Sequence, residues 1–263
     1  MTKRPDTQGM EQLILRRFDG RRFSDDLGDV VREMLLDVSV NGNPVVTIAC
    51  AGIHLQELTT GFLKQEGLIE DADDILDMVF SSDRVEVRTR EIAGAPLSRA
   101  RARTIASSGA RGSRTLDPEG RKNPLGPTCP KIDTQAVLDL MDALLAATAI
   151  HERTRGTHCS ALATVQGILA AREDIGRHNT IDMLCGWALT GGVDLADKIL
   201  LTTGRVSSEI VSKAWRMRVP AIVSHSAATS RAVMLAEKLG IVIVGYVRGG
   251  SFTVYAGSEA VKA

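Results

Sequence analysis

The chain has 263 residues, room for one large or two modest domains, and 44% of them are hydrophobic, enough material for a sizeable core. Lys plus Arg and Asp plus Glu both number 32, and this zero net charge lacks the basic surplus of a general nucleic-acid binder. No apolar run approaches the roughly 18 residues of a membrane span, the first residues do not read as a signal peptide, and the four cysteines form neither a Cys-x-x-Cys pair nor a disulfide framework, so a cytoplasmic protein is expected, with no membrane or nucleic-acid partner.

Residues 1–10 read as a frayed tail. Leu13–Phe18 and Met34–Val40 read as strands, and Asn41-Gly42-Asn43-Pro44 as a turn leading to a hairpin partner over Val45–Cys50. Leu55, Leu58, Phe62 and Leu63 recur at helical spacing, with Gly67 as the stop. Ile75–Phe80 and Arg84–Thr89 complete an α+β unit rich in antiparallel pairing. From Arg84 to Lys122, nine Arg and one Lys face four carboxylates. Asp117–Pro130 reads as a solvated linker. Arg99–Arg114 reads equally well as a linker or as a mobile basic loop that closes over a polyanion.

From Asp133, a candidate N-cap, the pattern becomes regular. Val137, Leu138, Met141, Leu144 and Leu145 make one helix face, and Ser160–Val165 with Ile168–Arg172 make a hairpin about Gln166-Gly167. A helix over about Arg177–Leu189 follows. Then come Lys198–Thr202 with Ser207–Arg218, Ala221–Ser224 with Thr229–Leu239, Val242–Tyr246, and a last strand at Phe252–Tyr255. Strands alternating with helices predict a sheet covered on both faces. The expected fold class is α/β, with an α+β domain over residues 1–110, an Arg/Gly/Pro-rich loop over 111–130 and an α/β domain over 131–263.

The chemistry concentrates in Arg172-Glu173-Asp174-Ile175-Gly176-Arg177-His178-Asn179-Thr180-Ile181-Asp182, at a strand-to-helix junction. Burying such groups without partners costs about 1–3 kcal/mol each, so the run reads as a site, one for an anion. Two later strand ends carry hydroxyl-rich turns, Thr202-Thr203-Gly204-Arg205-Val206-Ser207-Ser208 and Ser224-His225-Ser226-Ala227-Ala228-Thr229-Ser230. Either alone reads as plain helix capping. Together with Gly176-Arg177-His178-Asn179 and Arg248-Gly249-Gly250 they point to a shared anion pocket, because ligands of open α/β sheets gather at the carboxyl edge and helix N-termini offer free N–H groups. Arg177, Arg205 and Arg248 suit bidentate phosphate contacts. Asp174 and Asp182 suit a base or an amine, or the orientation of His178, and His158 is a second hydrogen-bonding group. Cys185 and Cys50 read as core, the side of Cys159 is open, and Cys129 reads as the thiol that water reaches. No zinc motif or Gly-x-Ser-x-Gly element occurs, so neither a metal site nor a serine hydrolase is expected.

These segments resemble the FdhD/NarQ family of formate dehydrogenase accessory sulfurtransferases. The quotable pieces are Gly61-Phe62-Leu63-Lys64-Gln65-Glu66-Gly67, Gly156-Thr157-His158, Arg172–Asp182, Gly204-Arg205-Val206-Ser207-Ser208-Glu209, Ser224–Thr229 and Val244-Gly245-Tyr246. The resemblance implies a C-terminal cytidine-deaminase-like α/β domain without zinc, and a homodimer. It implies sulfur taken from a cysteine desulfurase and delivered to the molybdenum bis-molybdopterin guanine dinucleotide cofactor before that cofactor enters formate dehydrogenase. The cofactor's guanine nucleotide end would meet the anion pocket, including His158, Arg177, His178, Asn179, Asp182, Gly204, Arg205, Ser207, Ser208, Ser224, Ser226, Thr229 and the loop Tyr246-Val247-Arg248-Gly249-Gly250-Ser251. The chain departs from the family's Cys-x-x-Cys sulfur carrier: Ser107-Ser108 is followed by Gly109-Ala110-Arg111-Gly112, with glycine at both cysteine positions. Cys129 is then the candidate carrier. The alternative is a cofactor- or guanine-nucleotide-binding chaperone that has lost sulfur transfer, or a nucleotide-binding protein unrelated to molybdenum.

Overall fold

A computed structural model describes residues 9–90, the strand at 103–105 and residues 130–262. Strands β1 (Met10–Phe18) and β2 (Phe23–Val31) form a two-stranded antiparallel ribbon. Its turn is closed by Asp19, whose carboxylate accepts from the backbone N–H of Arg21 and Arg22 at 2.8 and 2.9 Å. β2 has no counterpart in the sequence reading: three aspartates in nine residues argue against a strand, and pairing to β1 overrides that propensity.

β3 (Met34–Val40) and β4 (Asn43–Cys50) form the expected hairpin. Asn41 and Gly42 both take left-handed backbone angles (φ 49° and 77°), as the favoured two-residue hairpin turn requires. Helix α1 (Leu55–Gln65) ends at Gly67, where left-handed φ lets Leu68 N–H reach back to Leu63 O. β5 (Ile75–Ser81), β6 (Arg84–Thr89) and β7 (Arg103–Ile105) complete a five-stranded sheet of order β5-β6-β3-β4-β7. Leu36, Val38, Val46, Ile48, Val85 and Val87 of this sheet pack with Leu58, Phe62 and Leu63 of α1.

After the short strand β8 (Ile132–Asp133), Asp133 caps helix α2 (Thr134–Ala146) by accepting from Gln135 N–H. The short helix α3 (Ala149–Thr154) was not legible locally. Its free N–H groups at Ile150 and His151 are taken by the carboxylate of Glu173, both at 2.8 Å. β9 (His158–Thr164) and β10 (Gly167–Asp174) form the second expected hairpin. They are followed by α4 (Arg177–Thr190), β11 (Ile199–Thr202), α5 (Ser208–Met217), β12 (Ala221–Ser224), α6 (Ser230–Leu239), β13 (Val242–Arg248), β14 (Ser251–Ala256) and β15 (Val261–Lys262), which pairs with β8.

The main sheet runs β10-β9-β11-β12-β13-β14, with β11, β12 and β13 parallel. Leu162, Leu200, Ile222 and Ile243 face α4, α5 and α6, while Ala161, Leu201, Val223 and Val244 face α2 on the other side. This is the doubly covered α/β sheet that the strand–helix alternation predicts. The two sheets meet through α1 and α4. Gly61 and Gly186 stand where these helices cross, so close that a Cβ on Gly61 would lie 2.6 Å from the carbonyl carbon of Asp182, and one on Gly186 2.8 Å from that of Glu57. The quoted Gly61 motif is therefore a close-packing device. Helix α4 is buried on nearly every side because Ile181, Leu184 and Cys185 enter one core and Met183 enters the other.

Candidate functional site

Parallel pairing of β11, β12 and β13 puts their carboxyl ends on one edge. β9 runs antiparallel to β11 with Ser160 opposite Thr202, so its first residue, His158, overhangs the same edge. The turns along the edge are hydrogen-bonded in series. His225 N–H donates to Thr202 O at 3.0 Å, Val206 N–H to Ala227 O at 3.1 Å, Thr229 N–H to Val206 O at 3.0 Å, and Tyr246 N–H to Ser226 O at 2.9 Å. Elements far apart in sequence thus make one continuous rim.

At one end of the rim the N-termini of α4 and α5 converge. The Arg177 stem lies on Gly204, where an added Cβ would come within 2.9 Å of Arg177 Cδ. Burial first, and the neighbouring Arg205 charge next, hold the Arg177 guanidinium below its ordinary range. His158 is likewise held below the usual imidazole range, by burial first and then by Arg177, His151 and His178. His178 is 7% exposed, and its Nε2 stands 3.0 Å from Glu209 Oε2. Among the described residues, Arg177 Nε, His178 Nδ1 and Ser207 Oγ are buried without a hydrogen-bond partner. Ser207 occupies the N-cap position of α5 but makes no side-chain cap bond, and Ser208 opens that helix beside it. Arg205 is exposed.

The other end of the rim is more open. Arg248 Nε donates to His225 O at 3.0 Å and its guanidinium stacks 4.9 Å from the Tyr246 ring centre. Tyr246 takes a left-handed φ of 56°, uncommon for an aromatic residue, and presents its ring to solvent. Gly249 and Gly250 make the β13–β14 turn at φ 55° and 75°, and Ser251 Oγ donates to Arg248 O at 3.0 Å. Burial, then Arg248, lower the His225 imidazole pKa. Ser226 is half-buried on the rim.

Several residues expected at the pocket are committed elsewhere. Asn179 Nδ2 donates to Ala49 O at 2.8 Å and to Asp174 Oδ1 at 2.7 Å. Asp174 also accepts from Ala51 N–H at 2.8 Å and Gly176 N–H at 2.9 Å. Asp182 is buried and paired with Lys213 in the interior. Ser224 is fully buried, donates to Gly204 O at 2.8 Å and accepts from Ser226 N–H at 3.0 Å, tying two turns together. Thr229 caps α6 by accepting from Ala232 N–H. Val247 points into the core on the α2 side of the sheet. The first half of the Arg172–Asp182 run is therefore structural: Arg172 pairs with Glu57 in a two-pronged bridge of 2.5 and 2.7 Å, and Glu173 caps α3. Only Arg177 and His178 of that run turn toward the rim. Cys129 and the Ser107–Gly112 stretch lie outside the described residues.

A model of the FdhD/NarQ family matches residues 31–262. The chain belongs to this family. Its curated relatives include the protein named sulfur carrier protein FdhD from Geobacillus kaustophilus (strain HTA426), 36% identical over 250 residues, with 91% of this chain and 92% of that protein covered. The Bacillus subtilis (strain 168) protein of the same name is 33% identical over 238 residues, with 89% and 90% covered. In fold, the chain is similar to a solved chain from Desulfotalea psychrophila assigned as a formate dehydrogenase accessory protein. The TM-score is 0.79 at 20% identity, covering 97% of this chain and 100% of that one.

In this FdhD/NarQ member the described thiols are Cys50, Cys159 and Cys185, all buried. Burial is the main cause that pushes each thiol up to about 12, so none supplies thiolate near neutral pH. Cys159, whose side the sequence left open, packs in the α2-side core. In the sequence Glu209 stands only as part of the Gly204–Glu209 segment, with no site role. Its reach across to α4 depends on tertiary packing.

Proposed function

We propose that this protein is a cytoplasmic accessory protein for formate dehydrogenase that holds the molybdenum bis-molybdopterin guanine dinucleotide cofactor by its phosphorylated guanine nucleotide end. The observation that carries this reading is the grouping of unpartnered buried polar atoms, Arg177 Nε, His178 Nδ1 and Ser207 Oγ, at two converging helix N-termini. Each unpartnered group costs about 1–3 kcal/mol, and phosphate oxygens supply the missing acceptors. Arg177, His178, Ser207, Ser208 and Arg205 would hold the phosphates, with His158 alongside; Tyr246 and Arg248 offer a stacking and hydrogen-bonding surface further along the rim. The cofactor, when bound, supplies the redox-active molybdenum of the client enzyme. Calorimetric titration with GDP tests the site. We expect Arg177→Ala to weaken binding by roughly tenfold to a hundredfold, the scale of a lost charge-assisted hydrogen bond. Unchanged affinity would overturn the reading.

Sulfuration is the second part of the proposal. With glycine where the family resemblance places its cysteine pair, and the three described thiols buried, sulfur carriage rests on Cys129, whose thiolate would take sulfane sulfur from a cysteine desulfurase persulfide and release the desulfurase thiol. The same two observations favour a cofactor-holding protein without sulfur transfer. Peptide mass spectrometry after incubation with a desulfurase and cysteine separates them. A +32 Da adduct on Cys129, the mass of one sulfur atom (about 32 Da), supports carriage, and its absence from every cysteine leaves the holding role alone.

Homodimerisation belongs to the same reading. Ile14, Leu27, Phe18 and Phe23 share one face of the β1–β2 ribbon by register, and Ile14 and Phe23 are 76% and 61% exposed. That face is the surface we assign to a second copy. Light scattering on Phe23→Asp/Leu27→Asp is expected to give a monomer, and an unchanged dimer refutes the assignment.

A further inference from the structure

The cationic corner of the rim contains a carboxylate of its own. Glu209 stands in the first turn of α5, its side chain 45% exposed. An acid there commonly does no more than complement the helix dipole. This one reaches across to α4, where its Oε2 lies 3.0 Å from Nε2 of His178, an imidazole more than nine-tenths buried whose Nδ1 has no hydrogen-bond partner among the described residues. Contact with His178, and then the charges of His178, Arg177 and Lys213, hold the Glu209 carboxyl below its usual range.

We propose that Glu209 is the resident counter-anion of this site, standing against His178 and Arg177 in the ligand-free protein and giving up that place when a phosphorylated ligand arrives. This role rests on the anion-site reading above. The groups that face the corner are Arg177 and His178 from α4, His158 from β9 with His151 behind it, and Arg205 from the turn. Asp182 also influences His178 but is tied to Lys213 in the interior. Glu209 is thus the carboxylate placed to neutralise the corner. Its contact reaches His178 Nε2 and leaves Arg177 Nε, His178 Nδ1 and Ser207 Oγ without partners. Phosphate oxygens that meet those donors would win the exchange, and an exposed side chain at a helix start moves into solvent at little cost. A carrier gains from this: the competing carboxylate keeps affinity at a level from which cargo can be released.

The test is GDP titration of the full-length protein beside Glu209→Gln and Glu209→Asp, together with ligand-free thermal melts. Glu209→Gln is expected to bind GDP about fivefold to tenfold tighter, the scale of one partly screened charge, while its ligand-free melting temperature falls. Glu209→Asp is expected to stay near wild type in both. A merely structural role moves stability and affinity in the same direction, so the opposite signs identify the counter-anion. Binding by wild type with equal or weaker affinity in Glu209→Gln overturns the role of Glu209 alone. No GDP binding by either protein overturns the anion site, and this role with it. Glu209→Ser, which keeps a residue suited to a helix start, gives the same readout should the amide variant fail to fold.

Discussion

Gly61→Ala separates packing from propensity at the seam between the two sheets. Alanine favours a helix interior over glycine by about 1 kcal/mol, so a free helix surface would be stabilised by the change. Here the new methyl would sit 2.6 Å from the carbonyl carbon of Asp182 and 2.8 Å from Gly186 N. Carbon atoms rest at about 3.5–4.0 Å, and the Asp182 carbonyl oxygen stands closer still to the new methyl, so α1 and α4 must part by more than about 1 Å. A gap of that size forfeits about half of each dispersion contact along the seam. It also strains the Arg172–Glu57 bridge, which joins β10 to α1. Overpacking of this kind costs about 1–3 kcal/mol, and the lost cross-seam contacts put Gly61→Ala at the upper end, near 3 kcal/mol of net destabilisation. Urea unfolding followed by far-UV circular dichroism measures it, as a lowered midpoint at unchanged slope. Gln56→Ala, an exposed position on the same helix, is the control and is expected to move stability by less than about 0.5 kcal/mol. A Gly61→Ala protein as stable as wild type, or more so, would refute the close-crossing account.

Two further outcomes follow from buried groups. Burial is the main cause that holds the Asp174 carboxyl at about 6 in the fold, against about 3.9 unfolded. The fold therefore binds that proton more tightly. The contribution is fully present below pH 3.9 and is lost as pH rises through 6, on the order of 3 kcal/mol. Asp174→Asn removes this slope, so the difference in urea midpoint between variant and wild type should change between pH 4 and pH 6.5; a pH-independent difference refutes the assignment. Cys50, Cys159 and Cys185, buried and with thiols raised to about 12, should resist iodoacetamide in the native protein while Cys129 reacts. Native labelling of Cys159 would contradict its placement.

What could be read in advance was local. The Asn41-Gly42 turn, the Asp133 cap, the Gly67 stop and the short apolar strands of the main sheet depend on residues within a turn or two of each other. The misses depend on distance. β2 forms only because β1 lies beside it. Helix α3 is too short to show a periodic face, and its cap, Glu173, lies 22 residues beyond its N-terminal turn. The turns at Thr202 and Ser224 were legible as helix starts on one edge. Which hydroxyls face solvent was not: Ser224 and Thr229 serve the turns themselves, and Ser207 is left with a buried, unpartnered oxygen.

The Arg172–Asp182 run shows why a motif rich in chemistry is hard to divide from sequence. Asp174 and Asn179 bind backbone groups 123 and 130 residues earlier, at Ala51 and Ala49, and no local pattern announces such partners. Yet the structural half governs the other half. Asp174 accepts from Gly176 N–H and from Asn179 Nδ2, so it fixes where α4 begins, and with it the direction in which Arg177 and His178 leave the chain. The β4 end, the start of α4 and the anion corner are consequently one mechanical unit. Loosening the seam at Ala49–Ala51 should therefore weaken phosphate binding on the rim even though no residue there touches a ligand, whereas a site built only from the hydroxyl turns of β11 and β12 would not respond.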